Sequence, residues 1–230
     1  MRLRATIVAA MICAATLNVH AAADAGKQQE PRMEFAPPPA GSYALQRIQR
    51  APDGVLLNPD SRIQSLAELT SGKITLLTFF YTYCADPWGC PYAYWTLSGL
   101  RDRLMADPQL ARRVRFVSVS FDPTNDTPEA LRRYGARFMN DSRLEWRFLT
   151  ASSVADLLPM LDGFGQDVRV ERDANGKPTR TINHMLKMFL IDPEGMIREI
   201  YSLAYLQQPV MLNDIRTLAL EEQPTAVGNR

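Results

Sequence analysis

Residues 73 to 83 read KITLLTFFYTY, a nearly continuous apolar and β-prone run. Such a run suits a central strand covered on both faces, and little else in a soluble chain. Cys84 ends it, and Pro91 opens a helical stretch reaching Met105, since proline suits the first helical turn. A second buried strand, RVRFVSVSFD at 113–122, precedes the helical NDTPEALRRYGARF, where Asp126 and Glu129 have capping-box spacing. WRFLT reads as a third strand, and SVADLLPMLDGFG as a helix that Pro159 bends or shortens.

MLKMFLID, the turn DPEG and MIREIYS form a hairpin over 185–202, and PVMLNDIRTLALEE closes the chain as an amphipathic helix. Upstream, SYALQRIQR and VLLN flank APDG and predict an entry hairpin, and SLAEL is a short helical piece. Strand–helix–strand–helix followed by a hairpin and a last helix is the thioredoxin-like order. The expected fold is therefore α/β: a central mixed β-sheet flanked by helices, with an N-terminal β-hairpin, over residues 42–222.

The ends read differently. Arg2 and Arg4, the apolar run Ala5 to Leu17 and the small residues at 19–23 have the pattern of a secretory signal peptide over 1–23. That run is shorter than the roughly 20 residues a spanning helix needs, so cleavage is favoured over an N-terminal membrane anchor. Ala10-Met11-Ile12 lacks the small residue expected ahead of a lipidated cysteine, so Cys13 is not read as a lipid site. Residues 24–41 are rich in proline and polar groups and read as a flexible linker, and 223–230 as a loose tail. The expected location is periplasmic or otherwise exported. A net charge of +1 offers no broad basic surface, so nucleic acid is not an expected partner. No glycine loop of the phosphate- or dinucleotide-binding kind is present.

Removal of the leader takes Cys13 and His20 with it and leaves Cys84, Cys90 and His184 as the whole cysteine and histidine inventory. Five residues, Ala85-Asp86-Pro87-Trp88-Gly89, separate the two cysteines. Such a loop can return Cys90 to disulfide distance, or hold both sulfurs around one metal ion; the spacing decides neither. Cys90 lies nearest the start of a helix, whose free N–H groups favour thiolate, so Cys90 is expected to be the more acidic thiol. His184 enters the C-terminal hairpin, whose lip in this fold adjoins the cysteine helix. Two thiolates suit Cu(I), an imidazole also supports Cu(II), and zinc would want a fourth ligand. Met188 reads as core, and Met185 as strand packing in preference to a weak fourth ligand. Trp88 either packs on the domain or faces a partner, and at least one of Tyr92, Tyr94 and Trp95 must be core.

Three segments together resemble the Sco/SenC family, copper-binding assembly factors of cytochrome oxidase: TFFYTYC…CPYAYWTLSGL, VRFVSVSFDPTNDTPEALRRYGARF and NHMLKMFLIDPEGMIREIY. The match spans roughly residues 42 to 220. The resemblance implies one copper, Cu(I) or Cu(II), per chain, held by Cys84, Cys90 and His184, with Cys84 and Cys90 also a redox-active pair. It implies a copper-receiving or disulfide-bearing client, such as a cytochrome oxidase subunit, and a thiol reductant protein. The family's motif is Cys-x-x-x-Cys-Pro, whereas this loop is two residues longer. Two other readings stay open: a metal-free thiol–disulfide oxidoreductase or peroxidase-like protein using Cys84 and Cys90, and a binding module with a structural disulfide.

Overall fold

A computed structural model of the chain describes residues 35–139 and 142–221. The leader expected at 1–23, part of the linker and the tail at 223–230 lie outside the described residues.

In chain order the elements are β1 (Gln49–Arg50), β2 (Val55–Leu57), β3 (Ile63–Ser65), α1 (Leu66–Leu69), β4 (Ile74–Phe80), α2 (Cys90–Met105), α3 (Pro108–Arg113), β5 (Val114–Ser120), α4 (Pro128–Met139), β6 (Glu145–Leu149), α5 (Val154–Gly163), β7 (Val168–Arg172), β8 (Pro178–His184), β9 (Lys187–Ile191), β10 (Met196–Ser202) and, after a single turn of 3₁₀ helix, α6 (Gln208–Glu221). Six strands make one mixed sheet in the order β1-β10-β9-β4-β5-β6. β4, β5 and β6 run parallel, while β9 lies antiparallel to β4. All seven residues of β4 are buried, which is why its sequence does not alternate.

Helix α2 turns Tyr92, Ala93, Leu97, Leu100 and Leu104 inward. Gly99 lets α6 come close: a Cβ there would stand 2.4 Å from Gln208 Nε2. The β9–β10 hairpin closes at Asp192, whose buried carboxylate accepts from the Glu194 and Met196 amides and from Arg198 Nη1 at 3.1 Å. Among the described residues no helix is long and apolar enough to cross a membrane.

The structure revises three local expectations. The N-terminal hairpin is β2 with β3, not 42–50 with 55–58; Asn58 Oδ1 accepts from the Asp60 and Arg62 amides and turns the chain there. Residues 49–50 instead add an edge strand to β10. Asp126 caps nothing: Thr127 Oγ1 accepts the Ala130 amide at the start of α4, and Asp126 is fully buried beneath the cysteine loop. A further hairpin, β7–β8, stands outside the main sheet.

Candidate metal centre

The site is built where β4 runs out. Residues 81–89 form the connection from β4 to α2 and are held from below. Thr82 donates its amide (3.0 Å) and its hydroxyl to Asp126, and Ser120 of β5 donates to the same carboxylate at 2.6 Å. The loop tightens through Cys84 N–H to Tyr81 O and Gly89 N–H to Asp86 O, while Asp86 Oδ1 accepts the Trp88 amide. A Cβ at Gly89 would sit 3.2 Å from Cys84 Sγ and also crowd Asp86, so any larger residue there would press on the loop.

Both cysteines are free thiols. Cys90 is the first residue of α2 and 4% exposed, whereas Cys84 is half-buried. Their acidities are the reverse of the sequence expectation. The Cys84 thiol is pulled down to about 5, chiefly by a hydrogen bond from the Cys90 thiol. Burial opposes this, and the Cys90 and Asp86 amides assist it. Cys90 is pushed far up because it donates to Cys84, because it is buried, and because a Cys84 thiolate sits beside it. The physical reason is that Cys90, buried at the helix start, is the donor of the pair, while Cys84 accepts from the Cys90 thiol and from the Cys90 amide.

His184 ends β8 and pairs with Val168 across the hairpin. Its Nδ1 lies 2.9 Å from the Ile182 carbonyl, which can only accept, so Nδ1 carries the proton. Nε2 is then a buried lone pair with no hydrogen-bond partner. The imidazole is fixed by Phe121, 4.6 Å between ring centroids, and by Tyr81 edge-on at 6.0 Å. Tyr81 also ties the loop to the hairpin, since its hydroxyl accepts the Ile182 amide. Arg180 lies over the Tyr83 ring at 3.9 Å and makes a second tie. Gln166, buried behind the hairpin, donates to the Met185 carbonyl at 3.0 Å and sets the turn after His184.

Cys84 and His184 line one cavity of about 160 Å³ with Tyr81, Tyr83 and Asp86. Cys90 also borders a separate small space of about 10 Å³ beside Thr78, Ser118 and Tyr134. Cys84 is thus the common member of two pairs, one with Cys90 and one with His184. Among the described residues no three His, Cys, Asp or Glu side chains are gathered tightly enough to hold an ion. Two sulfurs and an imidazole nitrogen with an unspent lone pair nevertheless fit a soft to borderline metal.

Met188 is fully buried, as expected, but Met185 is 62% exposed and packs in no strand face. Tyr92 is the core member of the aromatic trio, fully buried, while Trp95 reaches the surface. Trp88 is 49% exposed and leans on Tyr92 at 5.5 Å. Sequence reasoning missed Tyr81, Asp126 and the β7–β8 hairpin. The last had a signal, since DANGK at 173–177 is a turn sequence between two β-prone segments.

A dithiol at the C-terminal end of the central strand, with a helix starting on its second cysteine, defines a thioredoxin-like domain. The SCO1/SenC family model matches residues 56–220, and the chain belongs to that family. A SCO1 protein homolog of Bacillus subtilis is 27% identical over 146 residues, covering 63% of this chain and 69% of the relative. The structure of yeast Sco1 with copper bound superposes with a TM-score of 0.63 at 16% identity, over 77% of this chain and 92% of that one. BsSco, described as a member of the Sco family of cytochrome c oxidase assembly proteins with a disulfide switch, gives 0.57 at 22% identity, over 80% and 98%.

Proposed function

We propose that the chain is an exported copper-handling protein in which Cys84, Cys90 and His184 take one copper ion as cargo and pass it to a client. The observation that carries this reading is His184 Nε2, a buried nitrogen left without a partner because Nδ1 is spent on Ile182. A buried polar atom with no partner is costly, and a metal ion would satisfy it. The neighbouring Cys84, drawn toward thiolate, supplies the soft donor. Copper in yeast Sco1 and the assembly role of the Sco family support the choice of ion and a client such as a cytochrome oxidase subunit. The signal-peptide pattern of residues 1–23 supports export.

The test is metal analysis of the reduced protein loaded with Cu(I) and then Cu(II), with His184→Ala beside it. About one copper per chain is expected, with Cu(II) lost in the variant. An unchanged stoichiometry in His184→Ala would remove the histidine from the site.

A second reading rests on the Cys90–Cys84 hydrogen bond, which already brings the sulfurs together. In it the pair gives two electrons and two protons to a client disulfide, becomes a disulfide itself, and is reset by a thiol reductant protein. Dithiol cycling that survives His184→Ala, together with no copper binding, would select it.

A further inference from the structure

A separate cleft of about 740 Å³ opens at the other end of the sheet. Lys73 directly precedes β4, Arg112 lies just ahead of β5 and Glu145 opens β6, so these residues mark the N-terminal ends of the parallel strands. Cys84 follows the C-terminal end of β4, and a seven-residue strand at roughly 3.3 Å per residue sets the two ends roughly 20 Å apart.

Among the described residues Lys73, Arg112, Arg132, Arg143 and Arg147 line the cleft, against only two carboxylates, Asp60 and Glu145. Glu145 does not discharge it. That single carboxylate is shared by Lys73 Nζ (3.1 Å), Arg115 Nε (3.0 Å) and Arg147 Nε (2.6 Å). Arg147 spends only its Nε there, and Arg112 has no ion pair among the described residues. Trp146 and Phe148, both buried, give the cleft a rigid floor. Arg132 is already paired with Asp60. Two guanidinium forks with spare donors, those of Arg112 and Arg147, in a lining of five cations and two carboxylates among the described residues, match a phosphate better than a neutral ligand.

We propose that this cleft binds a phosphate-bearing ligand carrying at least two negative charges, with Arg112 and Arg147 as its principal donors. The chemistry is shared by a soluble polyphosphate and by an anionic lipid headgroup. Neither the cysteines nor His184 takes part, so the site stands whatever the cargo of the other end.

The whole chain is titrated calorimetrically with pyrophosphate and with inorganic phosphate at matched ionic strength, and in parallel with vesicles of phosphatidylglycerol or phosphatidylcholine. Saturable pyrophosphate binding is expected, and Arg112→Gln and Arg147→Gln should each weaken it about tenfold, the worth of a charge-assisted contact. Arg169→Gln, on the exposed β7 strand, should leave it unchanged. Vesicle binding that needs phosphatidylglycerol, is lost in Arg112→Gln and is displaced by pyrophosphate would assign the headgroup as the source; its absence beside pyrophosphate binding assigns a soluble ligand. The unliganded melting curve of Arg112→Gln should match the parent, and Arg147→Gln, which gives up its bond to Glu145, should melt somewhat lower but in one cooperative transition, which separates lost contacts from lost fold. No saturable binding in either arm, or equal weakening by Arg169→Gln, overturns the proposal.

Discussion

Thr82 and Asp126, 44 positions apart in the chain, are joined through both the amide and the hydroxyl of the threonine. Asp126 is fully buried, and Ser120 gives it a third hydrogen bond. The residue two places before Cys84 is therefore anchored to the start of α4 rather than left to its loop. Asp126→Asn puts an NH₂ where one of these donors points, and the Thr82 amide cannot turn away. A loss of about 2 kcal/mol in urea denaturation is expected, the cost of one or two buried groups left unpaired. The Thr82 amide should also exchange with solvent faster.

The acidity of Cys84 predicts a pH profile. Alkylation of the metal-free dithiol by iodoacetamide, followed residue by residue by mass spectrometry, should rise for Cys84 through a pH of about 5 and then level off. Cys90 should stay slow throughout, because its thiol is held up by its bond to Cys84 and by burial. Cys90→Ala, which removes the donor, should move the Cys84 midpoint upward. Since the folded thiol lies below the ordinary cysteine value, its contribution to stability is full above that ordinary value. It is lost as the pH falls toward 5.

Glu145 predicts an acid-sensitive hinge in the stability curve. Burial pushes its carboxyl up, but hydrogen bonds from Arg115 and Arg147, the charge of Arg115 and a bond from Lys73 outweigh this and bring it to about 2. A depressed carboxylate stabilises above its unfolded value of 4.5 and loses that contribution as the pH falls toward 2. Glu145→Gln should therefore melt lower than the parent at pH 7, with the gap closing between pH 4.5 and 2 in thermal scans.

Gly135, inside α4, tests how tightly that helix lies on the sheet. Alanine there would gain about 1 kcal/mol in helix propensity. Its Cβ, however, would stand 2.6 Å from Phe148 Cδ2. Phe148 is wedged among Phe80, Tyr134 and Trp146 and has nowhere to go. Overpacking of this kind costs about 1–3 kcal/mol, so the clash wins and Gly135→Ala should be net destabilising by equilibrium denaturation.

Burial that leaves a one-dimensional trace was legible in the sequence. β4 is buried along its whole length and shows as an unbroken apolar run; β9 and β10 show through the DPEG turn. The two cysteines and the histidine stood out by scarcity alone. What escaped depends on direction or on distant partners. Proximity to α2 pointed to Cys90 as the acidic thiol, yet Cys90 is buried and donates its thiol hydrogen to Cys84. Asp126 has capping spacing, but two hydroxyls and an amide from elsewhere claim its carboxylate. β7 and β8 are mostly exposed and so carry no apolar period to read. VLLN pairs forward with Ile63–Ser65 because Asn58 turns the chain, a choice its own strand pattern does not encode.

The β7–β8 hairpin shares no ladder with the six-stranded sheet. It is tied to the cysteine loop by the Tyr81 hydroxyl and by Arg180 over Tyr83. The histidine thus rides on an outrigger, while the thiols are moored to the hull. Their separation can change without breaking one hydrogen bond of the central sheet. On the proposed reading, an ion held between Cys84 and His184 would be gripped or released at these side-chain ties, and the keel beneath would never have to bend.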